Sequence, residues 1–200
     1  MKIFLVDDEE PVRKAIMRLL RAEGLSVAAF ASAAEFLDGL DSRGAGCLVL
    51  DVAMPGLSGL ELQEELARRG ARLPIVFLTG RADVPMCALA MKRGAVDFLV
   101  KPVNDSDLLA AVRRALDQDE RASRQHREQE EISARLQTLT AREREVLELV
   151  VRGKLNKQIA ADLGAAEKTI KVHRGRVMTK MAAASVADLV RMMQKVRPDG

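Results

Sequence analysis

The sequence predicts an α/β domain built on a doubly wound, five-stranded parallel sheet, followed by a small all-α domain carrying a helix-turn-helix. Three observations lead there. Over residues 1–116 five short apolar runs alternate with five amphipathic stretches, the pattern of a parallel sheet covered on both faces. Charge is then unevenly spread: Lys and Arg number 15 against 16 Asp and Glu in residues 1–116, 4 against 6 in 117–139, and 13 against 7 in 140–200. Finally, two short apolar-faced helices near the end are joined by a turn at Gly164.

The first strand, Lys2–Val6, ends in the acids Asp7, Asp8, Glu9 and Glu10, and Pro11 suits the first turn of a helix bearing Val12, Ala15, Ile16, Leu19 and Leu20. Gly24 stops it, residues 25–30 form a strand, and Ser32 with Glu35 caps a helix carrying Phe36, Leu37 and Leu40. A third strand surfaces at Asp51. Met54-Pro55-Gly56 makes the turn after it, and Ser58 with Glu61 forms a capping box for a helix over 58–69. A strand at 74–79, a helix at 83–93 and a strand at 96–100 complete the sheet. From 104 to 138 one helix is expected, its stripe of Leu108, Leu109, Val112 and Leu116 fading into charge pairs; a flexible charged linker beyond Asp117 is the competing reading.

Parallel strands put their carboxyl ends on one edge, where ligands bind. That edge gathers Asp7 and Asp8 from strand one, Asp51 from strand three, Thr79 from strand four and Lys101, with Pro102, from strand five. Alone, Asp51 could merely cap a turn. Together, three carboxylates repel and call for a hard divalent cation, and magnesium suits few carboxylates and some waters. A cation, a lysine and a hydroxyl around one carboxylate can hold three phosphoryl oxygens, so Asp51 is a candidate nucleophile for phosphoryl transfer.

In the last segment Thr140 and Glu143 open a helix with Val146, Leu147, Leu149 and Val150 on its inner face. Residues 156–163 place Ile159, Ala160 and Leu163 inward, and Glu167–Met181 does the same with Ile170, Val177 and Met181. The opposite face of that second helix carries Lys168, Lys171, Val172 and Gly175, with Lys180 beyond and Arg174 and Arg176 at its flanks. An outward Val between lysines fits a thymine methyl in a major groove with basic neighbours on phosphates or guanine edges. A final helix at 185–195 serves core packing or a dimer contact.

Composition narrows the function class. A basic final domain suits an anionic partner, simplest a nucleic acid. With five Phe and neither Trp nor Tyr, base stacking is a poor binding mode, which disfavours single-strand readers. No apolar run nears the roughly 20 residues of a membrane span and no secretory signal opens the chain, so a soluble, cytoplasmic protein without a membrane partner is expected. Cys47 and Cys87 fall in apolar segments and are expected as buried, reduced thiols.

The motifs V-D-D at 6–8, D-x-x-M-P-G at 51–56, L-T-G at 78–80 and K-P at 101–102 resemble the receiver domain of response regulators, which has a flavodoxin-like fold, over residues 1–116. The strings G-R-A-D-V-P-M at 80–86 and G-A-V-D-F-L-V-K-P at 94–102 resemble its FixJ-like branch, although Arg81 stands where that branch often has His. The resemblance implies that Asp51 accepts phosphate from a sensor histidine kinase, and that Mg2+ is bound by Asp8, Asp51 and the backbone carbonyl of Ala53, with Asp7 acting through water. Lys101 would hold the phosphate, Thr79 would move towards it, and Phe98 would be the aromatic switch.

L-T-x-R-E-x-E-V-L at 139–147, N-K-Q-I-A at 156–160 and T-I-K-V-H-R at 169–174 resemble the LuxR-type (NarL/LuxR) DNA-binding domain over 139–200, behind a charged helical linker at 117–138. By that likeness Lys171 and Val172 read bases, while Lys168, Thr169, Arg174 and Arg176 contact phosphates. Ala165 and Ala166 depart from the family pattern and remove a helix cap worth on the order of 1 kcal/mol. The whole implies a non-enzymatic, phosphorylation-dependent transcription regulator that dimerises on a double-stranded operator, with RNA polymerase as a further partner the class allows. Its rivals are a regulator indifferent to phosphate and an aspartyl-phosphate hydrolase, for which the acid needed two residues after the nucleophile is replaced by Ala53.

Overall fold

A computed structural model describes residues 2–39, 45–80 and 83–196. Leu40 of the second predicted helix and Arg81 of the FixJ-like string lie outside the described residues. The chain divides into two compact units, Met1–Ser123 and Arg124–Gly200.

In the first unit the strands β1 (Lys2–Val6), β2 (Ser26–Phe30), β3 (Gly46–Asp51), β4 (Ile75–Thr79) and β5 (Asp97–Val100) form one parallel sheet in the order β2-β1-β3-β4-β5. Period-two alternation divides their side chains between two cores. Phe4, Val6, Leu48, Leu50, Ile75 and Phe77 face one side, covered by α2 (Ala33–Asp38), α3 (Gly59–Arg68) and α4 (Val84–Lys92). Ile3, Leu5, Cys47, Val49, Val76 and Leu78 face the other, covered by α1 (Glu10–Ala22) and the first part of α5 (Asp105–Gln137). Burial on both faces explains why β3 reads as a continuous apolar run rather than an alternating one.

The predicted caps form: Ser32 accepts from the Glu35 amide, and Ser58 and Glu61 close a full capping box. Two glycines permit close approach. Gly46 has φ 147°, and a Cβ there would stand 1.7 Å from the Lys2 carbonyl oxygen; at Gly59 it would stand 2.3 Å from the Asp51 carbonyl oxygen, so only glycine lets α3 begin against the end of β3.

A single helix, α5, covers the stretch that could have been a flexible linker, and it holds two buried side chains its composition hides. Asp119 is 6% exposed and accepts the Gly46 N–H at 2.9 Å, fastening α5 to the amino-terminal edge of β3. Burial, then the Asp119 charge, pushes the Cys47 thiol up to about 12, which keeps it a neutral apolar group. Cys87, expected to be buried, is free but only half-buried, because it lies on α4, a helix that fully buries only Ala90.

In the second unit Ile132 of α5 is 3% exposed and joins the core made by α6 (Ala141–Val151), α7 (Asn156–Asp162), α8 (Glu167–Met181) and α9 (Val186–Val196). Leu189 and Met193 of α9 are buried in that same core, so packing accounts for its apolar face. Thr140 and Glu143 form the expected capping box, while Ala166 offers α8 no side-chain cap.

Candidate functional site

At the carboxyl edge of the sheet, Asp7, Asp8 and Asp51 each bring a carboxylate oxygen within 4.8 Å of the others. Asp7 and Asp51 are buried and Asp8 is exposed, so the cluster opens to solvent on one side. β1 and β3 are neighbours that feed helices on opposite faces, and this is the topological switch point where such sheets bind ligands. The Lys101 ammonium lies 2.8 Å from Asp7 Oδ2, 3.3 Å from Asp51 Oδ2 and 3.2 Å from Glu9 Oε1. Its backbone N–H donates to the Thr79 carbonyl at 2.7 Å, which ties the ends of β4 and β5 together beside the cluster. Thr79 itself is 3% exposed.

Burial pushes the Asp51 carboxyl above its ordinary range; Lys101 works against the shift and the Asp7 charge adds to it. For Lys101, burial favours the neutral amine, but the hydrogen bond and charge of Asp7, then Asp51 and Glu9, prevail and raise its pKa. The ammonium therefore stays charged among acids. The Ala53 backbone N–H, like Lys101, holds the Asp51 pKa down, and Asp51 Oδ1 is buried without a hydrogen-bond partner. An orphaned buried carboxylate oxygen inside a three-acid cluster fits an oxygen-ligated divalent cation, the donor set magnesium takes.

Two residues at this edge escaped the sequence reading. Glu9 is a third anionic partner of Lys101, and its backbone N–H holds Asp7 Oδ1 at 2.9 Å. Arg13 donates to the carbonyl of Asp7 at 2.7 Å and to that of Asp8 at 3.3 Å, pinning the acidic turn to α1. Glu9 was legible in the run of four acids; Arg13 depends on the angle at which α1 starts. Phe98 pairs in register with Phe77, and the rings pack with centroids 5.9 Å apart, leaving Phe98 half-buried.

In the second unit, α7 and α8 are joined at Gly164, and Arg142 holds that turn by donating to the Leu163 carbonyl at 2.6 Å. Lys168, Thr169, Lys171, Val172 and Arg176 are exposed along α8, with Val172 49% exposed. Arg174 is half-buried and donates to Asn156 Oδ1 at 2.9 Å. Beside them a shallow concavity of about 670 Å³ is lined by Thr140, Lys171, Val172, Gly175, Arg176 and Thr179, together with Glu143 and Lys180. Lys180, placed by the sequence beyond the basic face, is engaged within the fold: its ammonium lies 2.7 Å from Glu143 Oε2 and 3.0 Å from the Thr138 carbonyl. Its hydrogen bond, with the Thr140 amide, lowers the Glu143 pKa to about 2.

The family model for the response regulator receiver domain matches residues 3–113, and that for bacterial regulatory proteins of the luxR family matches 137–193. Nodulation protein W of Bradyrhizobium diazoefficiens is 47% identical over 192 residues, covering 96% of this chain and 85% of that protein. The transcriptional regulatory protein FixJ of Azorhizobium caulinodans is 46% identical over 192 residues, covering 96% and 91%. Among solved structures, the response regulator StyR matches with a TM-score of 0.88 at 43% identity, covering 97% of this chain and 98% of that one. Full-length FixJ from B. japonicum matches with a TM-score of 0.60 at 40% identity, covering 100% and 98%. Among the described residues no helix is long and apolar enough to cross a membrane. The chain belongs to the FixJ-like response regulators of two-component systems, transcription regulators that join a receiver domain to a LuxR-type DNA-binding domain.

Proposed function

We propose that Asp51 is the phosphoryl acceptor of this regulator and that its modification controls pairing of receivers and binding of double-stranded DNA. The observation that carries this is the placement of Lys101 within 3.3 Å of Asp51 inside a three-carboxylate cluster, with Asp51 Oδ1 unpartnered. The donor is a sensor kinase's phosphohistidine. A carboxylate oxygen of Asp51 attacks phosphorus, the O–P bond forms, the P–N bond breaks, and the imidazole leaves with a proton from solvent. Asp8, Asp51 and the Ala53 carbonyl would hold Mg2+, with Asp7 acting through water. When bound, that ion neutralises charge on the phosphoryl oxygens. Lys101 exchanges its contact with Asp51 for one with the new phosphoryl group.

Thr79, already tied to Lys101 through the backbone, supplies a hydroxyl to the phosphoryl group. Phe98 then packs further inward over Phe77, and the α4–β5 surface changes so that two receivers associate. Each DNA-binding domain sets α8 in a major groove, so a dimer reads a roughly palindromic operator with half-sites about one turn apart. Lys171 and Val172 meet bases, while Lys168, Thr169, Arg174 and Arg176 meet phosphates. The hydrogen bond to Asn156 orients the Arg174 guanidinium and leaves it further donors for a phosphate.

The test is intact-mass analysis of the protein given magnesium and acetyl phosphate. One labile phosphoryl group is expected on the wild type and none on Asp51→Asn, with tighter operator binding only where the adduct forms. No adduct on the wild type, or one that survives Asp51→Asn, refutes the assignment. Equal operator affinity with and without the adduct favours a regulator indifferent to phosphate.

A further inference from the structure

A glycine inside an exposed helix weakens it relative to alanine, so each such glycine calls for a reason. Gly46, which opens the strand β3, and Gly59, buried at the start of α3, have their reasons within the fold, where a Cβ would collide with backbone. Gly175 has none there. It sits mid-way along α8 without a positive φ, and a Cβ at that position would meet nothing within 4 Å. The space opens onto the concavity that Gly175 shares with Lys171, Val172, Arg176 and Thr179.

The neighbours give that space a chemistry. Val172, one turn earlier, leaves 49% of its surface in water. Thr179, one turn later, donates its hydroxyl to the Gly175 carbonyl at 3.1 Å, which leaves a partner its methyl and the acceptor lone pairs of that oxygen. Lys171 and Arg176 supply positive charge alongside. The result is an apolar notch, floored by bare backbone and flanked by cations. In the major groove the thymine 5-methyl is the apolar group that base edges present.

We infer that Gly175 is a specificity-determining residue: its missing Cβ admits a thymine methyl between Val172 and Thr179, and alanine there would fill the seat. The inference rests on the reading that α8 enters the major groove, and it assigns to this chain an apolar contact at a position with no side chain of its own. Helix stability and DNA recognition thus make opposite demands on one residue.

The experiment uses the full chain, wild type and Gly175→Ala, with magnesium and acetyl phosphate, and selects bound DNA from random sequence. Gly175→Ala is expected to raise the thermal midpoint of the DNA-binding unit, yet to lower affinity for the wild-type site about tenfold or more and to relax preference at one thymine per half-site. Replacing each thymine in turn by deoxyuridine removes only the methyl. The wild type is expected to lose about fourfold at that one position, the value of one buried methyl, and the variant to be indifferent there. Unchanged base preference and affinity in Gly175→Ala, a lowered thermal midpoint, or a wild type insensitive to every thymine methyl would each overturn the inference while leaving DNA reading by α8 intact. A wild type that selects no sequence would overturn both.

Discussion

Replacing Lys101 by Met removes an ammonium that stands 2.8 Å from Asp7 and 3.3 Å from Asp51, both nearly inaccessible to water. At an effective dielectric of about 20, each contact is a gross attraction of roughly 5–6 kcal/mol, much of it offset by the desolvation of all three groups. Deleting one partner of a buried pair costs about 3–5 kcal/mol, since the orphaned charge stays behind. For a receiver of this size that corresponds to a fall of roughly 10–20 °C in thermal midpoint.

The deficit must also depend on pH with a definite sign. Burial already raises the Asp51 carboxyl above 3.8, and Lys101 is the first influence opposing that rise, so its loss raises the carboxyl further. A carboxyl whose folded pKa exceeds its unfolded one withdraws stability as pH climbs from the lower value to the higher. The gap between Lys101→Met and wild type is therefore expected to be small near pH 4 and to widen towards neutrality. Urea unfolding of both proteins from pH 4 to 7.5, in EDTA and in magnesium chloride, is the assay. Magnesium should stabilise the variant more than the wild type, because the cation takes over the neutralising role. A variant as stable as wild type at pH 7 in EDTA, or equal gains from magnesium, would refute the electrostatic account of this site.

Three further outcomes are expected. Glu143→Gln keeps the α6 cap but loses the charge paired with Lys180; since Glu143 is held down at about 2, its contribution is present above about 4.5 and vanishes as pH falls through about 2. The variant's acid-unfolding limb, followed by hydrogen exchange in α8, should be flatter, and a limb as steep as wild type's counts against the pair. Asp119→Ala strands the buried Gly46 N–H and should cost about 1–3 kcal/mol in urea unfolding, whereas Asp119→Asn can still accept and should cost less; identical losses would mean the hydrogen bond is immaterial. Gly59→Ala, opposite in sign to Gly175→Ala, should destabilise the receiver by about 1–3 kcal/mol and slow acetyl-phosphate labelling, because its Cβ must displace the backbone of Asp51. A stabilised Gly59→Ala protein would show that α3 yields freely.

What the sequence disclosed of the fold follows from periodicity. Apolar runs bounded by Gly, Pro and capping boxes located all five strands to within a residue, because β1, β3 and β4 are buried on both faces with polar residues only at their ends, and the half-buried edge strands β2 and β5 are still apolar between their turn signals. The strand-end acids were legible in the same way: a carboxylate that closes a buried strand has few bland explanations when three other strand ends contribute partners. Tertiary angle was illegible. Arg13 reaches the Asp7 and Asp8 carbonyls only because of how α1 leaves β1. Asp119 and Ile132 are single buried positions in a helix otherwise dominated by charge, so no stripe announces them. Lys180 read as a further cation beyond the basic face, and only its proximity to Glu143 reveals that its charge is engaged within the fold.

The burial of Ile132 bears on how the protein is taken apart. The matched luxR-family segment begins at residue 137, and a fragment cut there, or at 139, would discard Ile132 and Leu136 together with Arg135, which donates to the Met181 carbonyl at 3.4 Å, and Gln129, which donates to that of Lys195 at 2.8 Å. Such a fragment would expose the floor of its own core and leave the carboxyl ends of α8 and α9 without these donors, so weak operator binding by it would report damage rather than missing regulation. Dissection at residue 124 keeps the scaffold of α8 and α9 whole.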